Sequence, residues 1–279
     1  MNMLKTTVLL AALMGLFLVV GLLLGGVTGL IIAFVLGAGM NFFAYWSSDK
    51  LALRMAKARE VSMQEQPKLH SIVEEVAAQA GMPTPKVYVI ESDTPNAFAT
   101  GRNPKHAAVA VTTGIMRLLS ERELRAVMGH ELGHVKNRDI LISSIVATIA
   151  GAISMLALIS LFFRNNRSPY AMLAFLVAWI VAPLAAGLIQ AAISRTREFQ
   201  ADISGAEFTH DPEALASALE KLHEGVRARP MEVTPMAEST AHLYIVHPFK
   251  AGGMANLFST HPPMEERVRR LRDMAYRPR

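Results

Sequence analysis

The chain has 279 residues, a formal net charge of +5, no cysteine, and 52% hydrophobic residues. Without cysteine there is no disulfide framework and no thiolate metal site, so histidine and carboxylate are the ligands open to a metal. The basic balance does not call for nucleic acid, because many of the lysines and arginines flank two apolar blocks, the pattern of retention on the cytoplasmic side of a membrane.

From Thr6 to Trp46 no residue is charged. One membrane helix needs about 20 residues, so residues 1–46 are expected to form a transmembrane hairpin of two helices hinged near Gly25 and Gly26. The apolar sequence runs on where a cleaved signal peptide would give way to polar residues. Residues 47–139 then read as the first part of a water-soluble domain. In it "QPKLHSIVEEVAAQAG" has helical apolar spacing and is closed by Gly81 and Pro83. "KVYVIE" and "HAAVAVTTG" read as strands, with "SDTPNAFATGRNP" between them as a turn and a short edge-like strand. Ser120 and Glu123 form a Ser-x-x-Glu capping box that opens a helix to about Asn137.

The second apolar block, residues 140–193, repeats the plan of the first. Ile140 to Phe163 and Ala171 to Ile193 are uncharged runs separated by "RNNRSPY", and each is long enough to span; a buried helix pair within a soluble core is the alternative. Residues 194–279 supply the second part of the soluble domain, with a mobile loop expected over 229–258 and a helix over "MEERVRRLRDM". Lys5, Lys50, Arg54, Lys57, Arg59, Lys136, Arg138, Arg195 and Arg197 fall on one side of a four-span arrangement, and Arg164 and Arg167 on the other. That asymmetry places both termini in the cytoplasm. The expected fold is a mainly α membrane protein of four transmembrane helices, carrying an α+β domain with a small sheet.

The chemistry-bearing residues lie on either side of the second block. His130, Glu131 and His134 form H-E-x-x-H in the capped helix. Positions i and i+4 share a helix face, so both imidazoles can reach one ion, and Glu131 lies beside them toward an open coordination position. Zinc suits such a site, needing three protein ligands when catalytic. In "SRTREFQADISGAEF", Glu198 and Asp202 are again i and i+4; Glu198 could complete the site and Asp202 could fix the tautomer of a ligating imidazole. A solvated acidic face paired with Arg195 and Arg197 is the plainer reading. Against it, His134 precedes one apolar run by six residues and Glu198 follows the other by five, so an antiparallel pair of spans returns both to one membrane face.

"NAFATG", "GHELGH", "EFQAD" and "STHPP", in this order along the chain, together resemble the M48 membrane metallopeptidases, whose heat-shock members share the four-segment layout and are relatives of the CAAX prenyl protease. The resemblance covers nearly the whole chain. It implies a gluzincin-like fold, one zinc ion per chain, and endopeptidase activity on misfolded membrane proteins, with the active site on the cytoplasmic face of the inner membrane. It further implies that His130, His134 and Glu198 are zinc ligands and Glu131 the catalytic base. Asn96, Ala97 and Phe98 would line the edge strand where substrate pairs, and His261 would donate to the transition state. Two other readings fit the residues alone: a zinc-stabilised membrane scaffold or chaperone-like binder, which has no need of Glu131, and a small transporter, disfavoured by the absence of ionisable residues in the spans.

Overall fold

The β-branched runs pair into one sheet. In the computed structural model, which describes residues 2–137, 139, 195–234, 241–249 and 262–276, the strands are β1 (Arg59–Glu60), β2 (Lys86–Ile90), β3 (Ala97–Gly101) and β4 (Ala107–Thr112). Their spatial order is β1-β2-β4-β3. β2 and β4 run parallel, whereas β1 is antiparallel to β2 and β3 is antiparallel to β4. Every residue of β4 is buried, as a central strand covered on both faces requires. Nothing in the sequence announces β1, whose two residues are charged and exposed; its pairing with Tyr88 and Val89 alone makes it a strand.

The helices are α1 (Asn2–Met55), α2 (Pro67–Gln79), α3 (Thr113–Leu118), α4 (Glu121–Asn137), α5 (Arg195–Thr209), α6 (Pro212–Ala228) and α7 (Met264–Ala275). α4 starts where the capping box sets it: Ser120 N donates to Glu123 Oε2 at 2.9 Å and Glu123 N donates to Ser120 Oγ at 3.3 Å. It is central, packed against α2, α5, α6 and β3. The sheet thus has two covers. Ala97, Ala99, Val109 and Val111 face the helical core, while Phe98, Ala108 and Ala110 face a smaller cluster with Leu53 of α1 and Tyr244, the alternation a strand dictates.

Where two helices of a hairpin were expected, the structure has one helix, α1, running through both, with Gly26 inside it left-handed at φ +56°. Val27, Ile31, Ile32, Phe34, Val35 and Leu36 are each more than half exposed. Counted over the described side chains, no helix is long and apolar enough to cross a membrane; the second block, 140–193, lies outside the described residues. A second expectation is corrected in part. Of the described residues in the segment expected to be a mobile loop, 229–234 are irregular and mostly exposed, but 241–249 are packed down: a short 3-10 turn, Ala241–Leu243, leads into buried Tyr244, Ile245 and Val246. The flanking prolines and glycines mask an apolar triplet that has a surface to cover.

Candidate metal centre

α4 and α5 cross at close range because the facing residues are small. A Cβ on Gly205 of α5 would lie 2.6 Å from the backbone nitrogen of His130, and one on Gly133 of α4 would lie 3.1 Å from the Ala201 carbonyl oxygen. On α5, Glu198, Ala201, Asp202 and Gly205 follow the i, i+3, i+4, i+7 pattern of a single face, and that face is turned onto Gly129, His130 and Gly133 of α4.

The crossing brings His130, His134 and Glu198 together, each with one ligand atom, all within 4.8 Å of one another. His134 Nε2 lies 3.4 Å from Glu198 Oε1, and His130 Nε2 lies 3.9 Å from Glu198 Oε2. Ligand atoms about 2.0–2.1 Å from a tetrahedral zinc ion stand about 3.3 Å apart, so this donor set fits that ion with small adjustments. The second nitrogen of each imidazole meets a carboxylate: His130 Nδ1 is 2.9 Å from Asp202 Oδ1, and His134 Nδ1 is 3.4 Å from Asp139 Oδ2. Such partners hold the tautomer that presents Nε2 to a metal.

The charges are buried, so they are matched. Arg267 of α7 is fully buried and grips Asp202 with two bonds, Nε to Oδ2 at 2.9 Å and the terminal nitrogen to Oδ1 at 2.7 Å, and its other terminal nitrogen is 3.6 Å from Glu198 Oε2. Burial lowers the His130 pKa to about 4, leaving the neutral ring a ligand must be. For His134 burial acts in the same direction, but Asp139 and Glu198 outweigh it and raise the group to about 10; the same negative field is available to a divalent cation. Burial pushes Glu131 up to about 8, with His134 opposing. Glu131 is also tied to the sheet, because Ala99 N donates to its Oε2 at 2.8 Å.

Of the other residues singled out in the sequence, Ala97 opens β3, the strand at one side of the sheet, and Asn96 precedes it, fully buried. Phe98 lies in the same edge strand, with its side chain edge-on to Tyr244 at a ring-centroid distance of 5.3 Å and on the opposite face from Ala97 and Ala99, because successive strand residues alternate faces. His261 lies outside the described residues. Sequence reasoning passed over Asp139, Arg267 and the glycines. A signal existed for two of these: Gly129 and Gly133 have the same i, i+4 spacing as the histidines beside them, and Arg267 shares a helix face with buried Leu271.

Known proteins resemble this chain over most of its length. The family model described as Peptidase family M48 matches residues 63–275. A "Protease HtpX homolog" of Paraburkholderia phytofirmans is 54% identical over 278 residues, covering 98% of this chain and 97% of its own. One of Methylibium petroleiphilum is 54% identical over 276 residues, covering 98% of each, and one of Burkholderia mallei is 52% identical over 277 residues, covering 98% and 97%. Among solved structures, S. mikatae Ste24p superposes with a TM-score of 0.53 at 20% identity, over 97% of this chain. This chain spans 65% of that protein's length, and the likeness is one of fold.

Proposed function

The chain belongs to peptidase family M48 and is a metalloprotease, and from that premise we propose that it is a multi-pass inner-membrane zinc endopeptidase cutting misfolded or damaged membrane proteins at the cytoplasmic face. The observation that carries the reading is the convergence of His130, His134 and Glu198 within 4.8 Å beside a glutamate that is not one of the three. His130, His134 and Glu198 would hold one zinc ion, which when bound supplies Lewis acidity to a peptide carbonyl and lowers the pKa of a water. Glu131 does the proton work. Its Oε2 is held by the Ala99 amide, so Oε1 is left to take a proton from the attacking water and return it to the departing amine.

Two further features support the choice of substrate and place. β3 is an edge strand, and an extended peptide added to an edge gains main-chain hydrogen bonds that depend little on its side chains, as a protease for unfolded segments needs. The uncharged run from Thr6 to Trp46 and the exposed apolar row from Val27 to Leu36 favour a lipid-embedded α1 over a water-exposed one. The test is metal analysis paired with cleavage of an unfolded membrane-protein substrate. Glu131→Gln should retain one zinc per chain and lose cleavage by at least about a hundredfold, whereas His134→Ala should lose both. A Glu131→Gln protein that still cuts would overturn the reading.

A further inference from the structure

The edge of β3 already carries a peptide, and the peptide is the chain's own. Ile245 N donates to the Ala97 carbonyl at 3.1 Å. The side-chain amide of Asn96 embraces the next residue: Nδ2 donates to the Val246 carbonyl at 2.6 Å, and Oδ1 accepts from Val246 N at 3.3 Å. The Ile245 carbonyl accepts from Arg267 at 3.4 Å. Tyr244 stacks edge-on against Phe98, and Met231 N donates to the Pro248 carbonyl at 2.8 Å, closing the segment at its far end. Ala97, which receives Ile245, stands two residues along the same edge from Ala99, whose amide holds Glu131.

We propose that residues 241–249 are a built-in occupant of the peptide-binding edge, a strap that stands where a substrate strand pairs and yields to an extended apolar peptide. The proposal rests on the peptidase reading of the site. Its basis is the kind of bond involved. Three of the four strap bonds near the metal centre join backbone groups of Ile245 and Val246 to Ala97 and Asn96, and none depends on which residues the strap contributes. An incoming strand can make the same bonds, so exchange leaves the hydrogen-bond count unchanged. What favours the strap is that it is attached and that Tyr244, Ile245 and Val246 are buried. Its sequence, Leu-Tyr-Ile-Val, names the competitor: apolar, β-branched or aromatic, and extended. A site filled from within binds substrate with an apparent affinity reduced by the fraction of time the strap is away. Long unfolded chains, which offer many such stretches, are thereby preferred over short polar loops.

The test uses the full-length, zinc-loaded Glu131→Gln chain in detergent micelles and a peptide Leu-Tyr-Ile-Val-His-Pro copying residues 243–248, with a Gly-Ser peptide of equal length as control. Amide exchange across 241–249 is followed by mass spectrometry. The copy peptide should bind and speed exchange at Ile245 and Val246 by about tenfold or more, and the control should do neither. Ile245→Pro, which deletes the amide that Ala97 accepts, should bind the copy peptide about tenfold more tightly, the equivalent of one main-chain hydrogen bond. In the otherwise wild-type chain the same change should lower KM with kcat unaltered. Binding that leaves strap exchange unchanged overturns the proposal without any folding question, since it needs no strap variant. A folded Ile245→Pro chain that binds no tighter does so as well. If no peptide binds while wild type cuts an unfolded protein, the strap idea falls and the peptidase reading stands; if wild type cuts nothing, both fall.

Discussion

Gly205→Ala is the sharpest perturbation of the metal centre that touches no charged group. The added Cβ would lie 2.6 Å from His130 N, 2.9 Å from Gly129 C and 2.9 Å from His130 Cα. Carbon needs about 3.5 Å from such neighbours, so α5 must withdraw from α4 by about 0.9 Å. All three atoms are backbone inside a helix, and none can rotate aside. Overpacking of this kind costs about 1–3 kcal/mol of stability. The larger effect falls on the metal, because Gly205 shares its face with Glu198 two turns earlier and zinc tolerates about 0.2 Å of ligand displacement. Zinc affinity, measured by competition with a chelator, should drop about tenfold to a hundredfold, the range seen when ligand support is lost. Gly133→Ala provides the scale: its Cβ would stand 3.1–3.3 Å from Ala201 and Ser204 atoms, and its effect should be clearly smaller. A Gly205→Ala protein with wild-type zinc affinity and melting temperature would refute the claim that close helix approach sets the ligand geometry.

Arg267→Met should destabilise the fold by about 3–5 kcal/mol in urea melts, since it leaves Asp202 and Glu198 buried beside a missing cation; adding Asp202→Asn should recover part of that loss. Asp139→Asn should weaken zinc binding about tenfold to a hundredfold while leaving the melting temperature of the chelated protein little changed. Glu123 tests electrostatics away from the centre. Burial raises its pKa, but Lys221, Ser217 and Ser120 outweigh burial and hold it at about 2 against an ordinary 4.5. A depressed carboxyl stabilises the fold above pH 4.5 and loses that contribution as pH falls toward 2. The shift corresponds to about 3 kcal/mol, discounted to about 1–2 kcal/mol because Lys221 is 45% exposed. Glu123→Gln should therefore lower stability at pH 7 by that amount and flatten the acid limb between pH 4.5 and 2; an unchanged limb would show that the network does no more than pack.

The sheet and α4 were legible because local signals and tertiary fate agree there: β-branched runs make β2 and β4, and Ser120 with Glu123 starts α4. α5 is the opposite case. The face it turns to α4 consists of Glu198, Ala201, Asp202 and Gly205, and of its other buried residues only Phe208 is a large apolar one, so it has no apolar stripe, and hydropathy periodicity, which finds helices that bury leucine, is blind to it. It was found through the chemistry of its carboxylates. Arg267 stayed hidden because it stands in a helix with Arg269, Arg270 and Arg272, where one buried guanidinium among solvated ones leaves no compositional mark. The strap was hidden for a related reason: a triplet of apolar residues between proline-rich stretches is too short to carry a period, and the edge it covers is assembled only when β3 folds onto β4.

Residues 138–194 depart from the end of α4 and return at the start of α5, and the two ends are held within the same few ångströms, Asp139 and His134 on one side and Glu198 on the other. The cost of closing a chain segment grows only with the logarithm of its length, about 0.6 kcal/mol per doubling, so replacing a short α4–α5 connection by an apolar excursion changes the stability of the helix pair by little. What the excursion does require is that its ends meet at one point with fixed geometry, or the ligands it separates in sequence would not converge in space. The small residues of the α4–α5 crossing supply that fixed point through packing, and a bound divalent cation would supply it a second time through coordination. A chain built this way can carry its candidate metal ligands on both sides of an apolar insertion without spreading the site, which is how a candidate metal centre and a membrane-sized hydrophobic block come to be neighbours in the sequence.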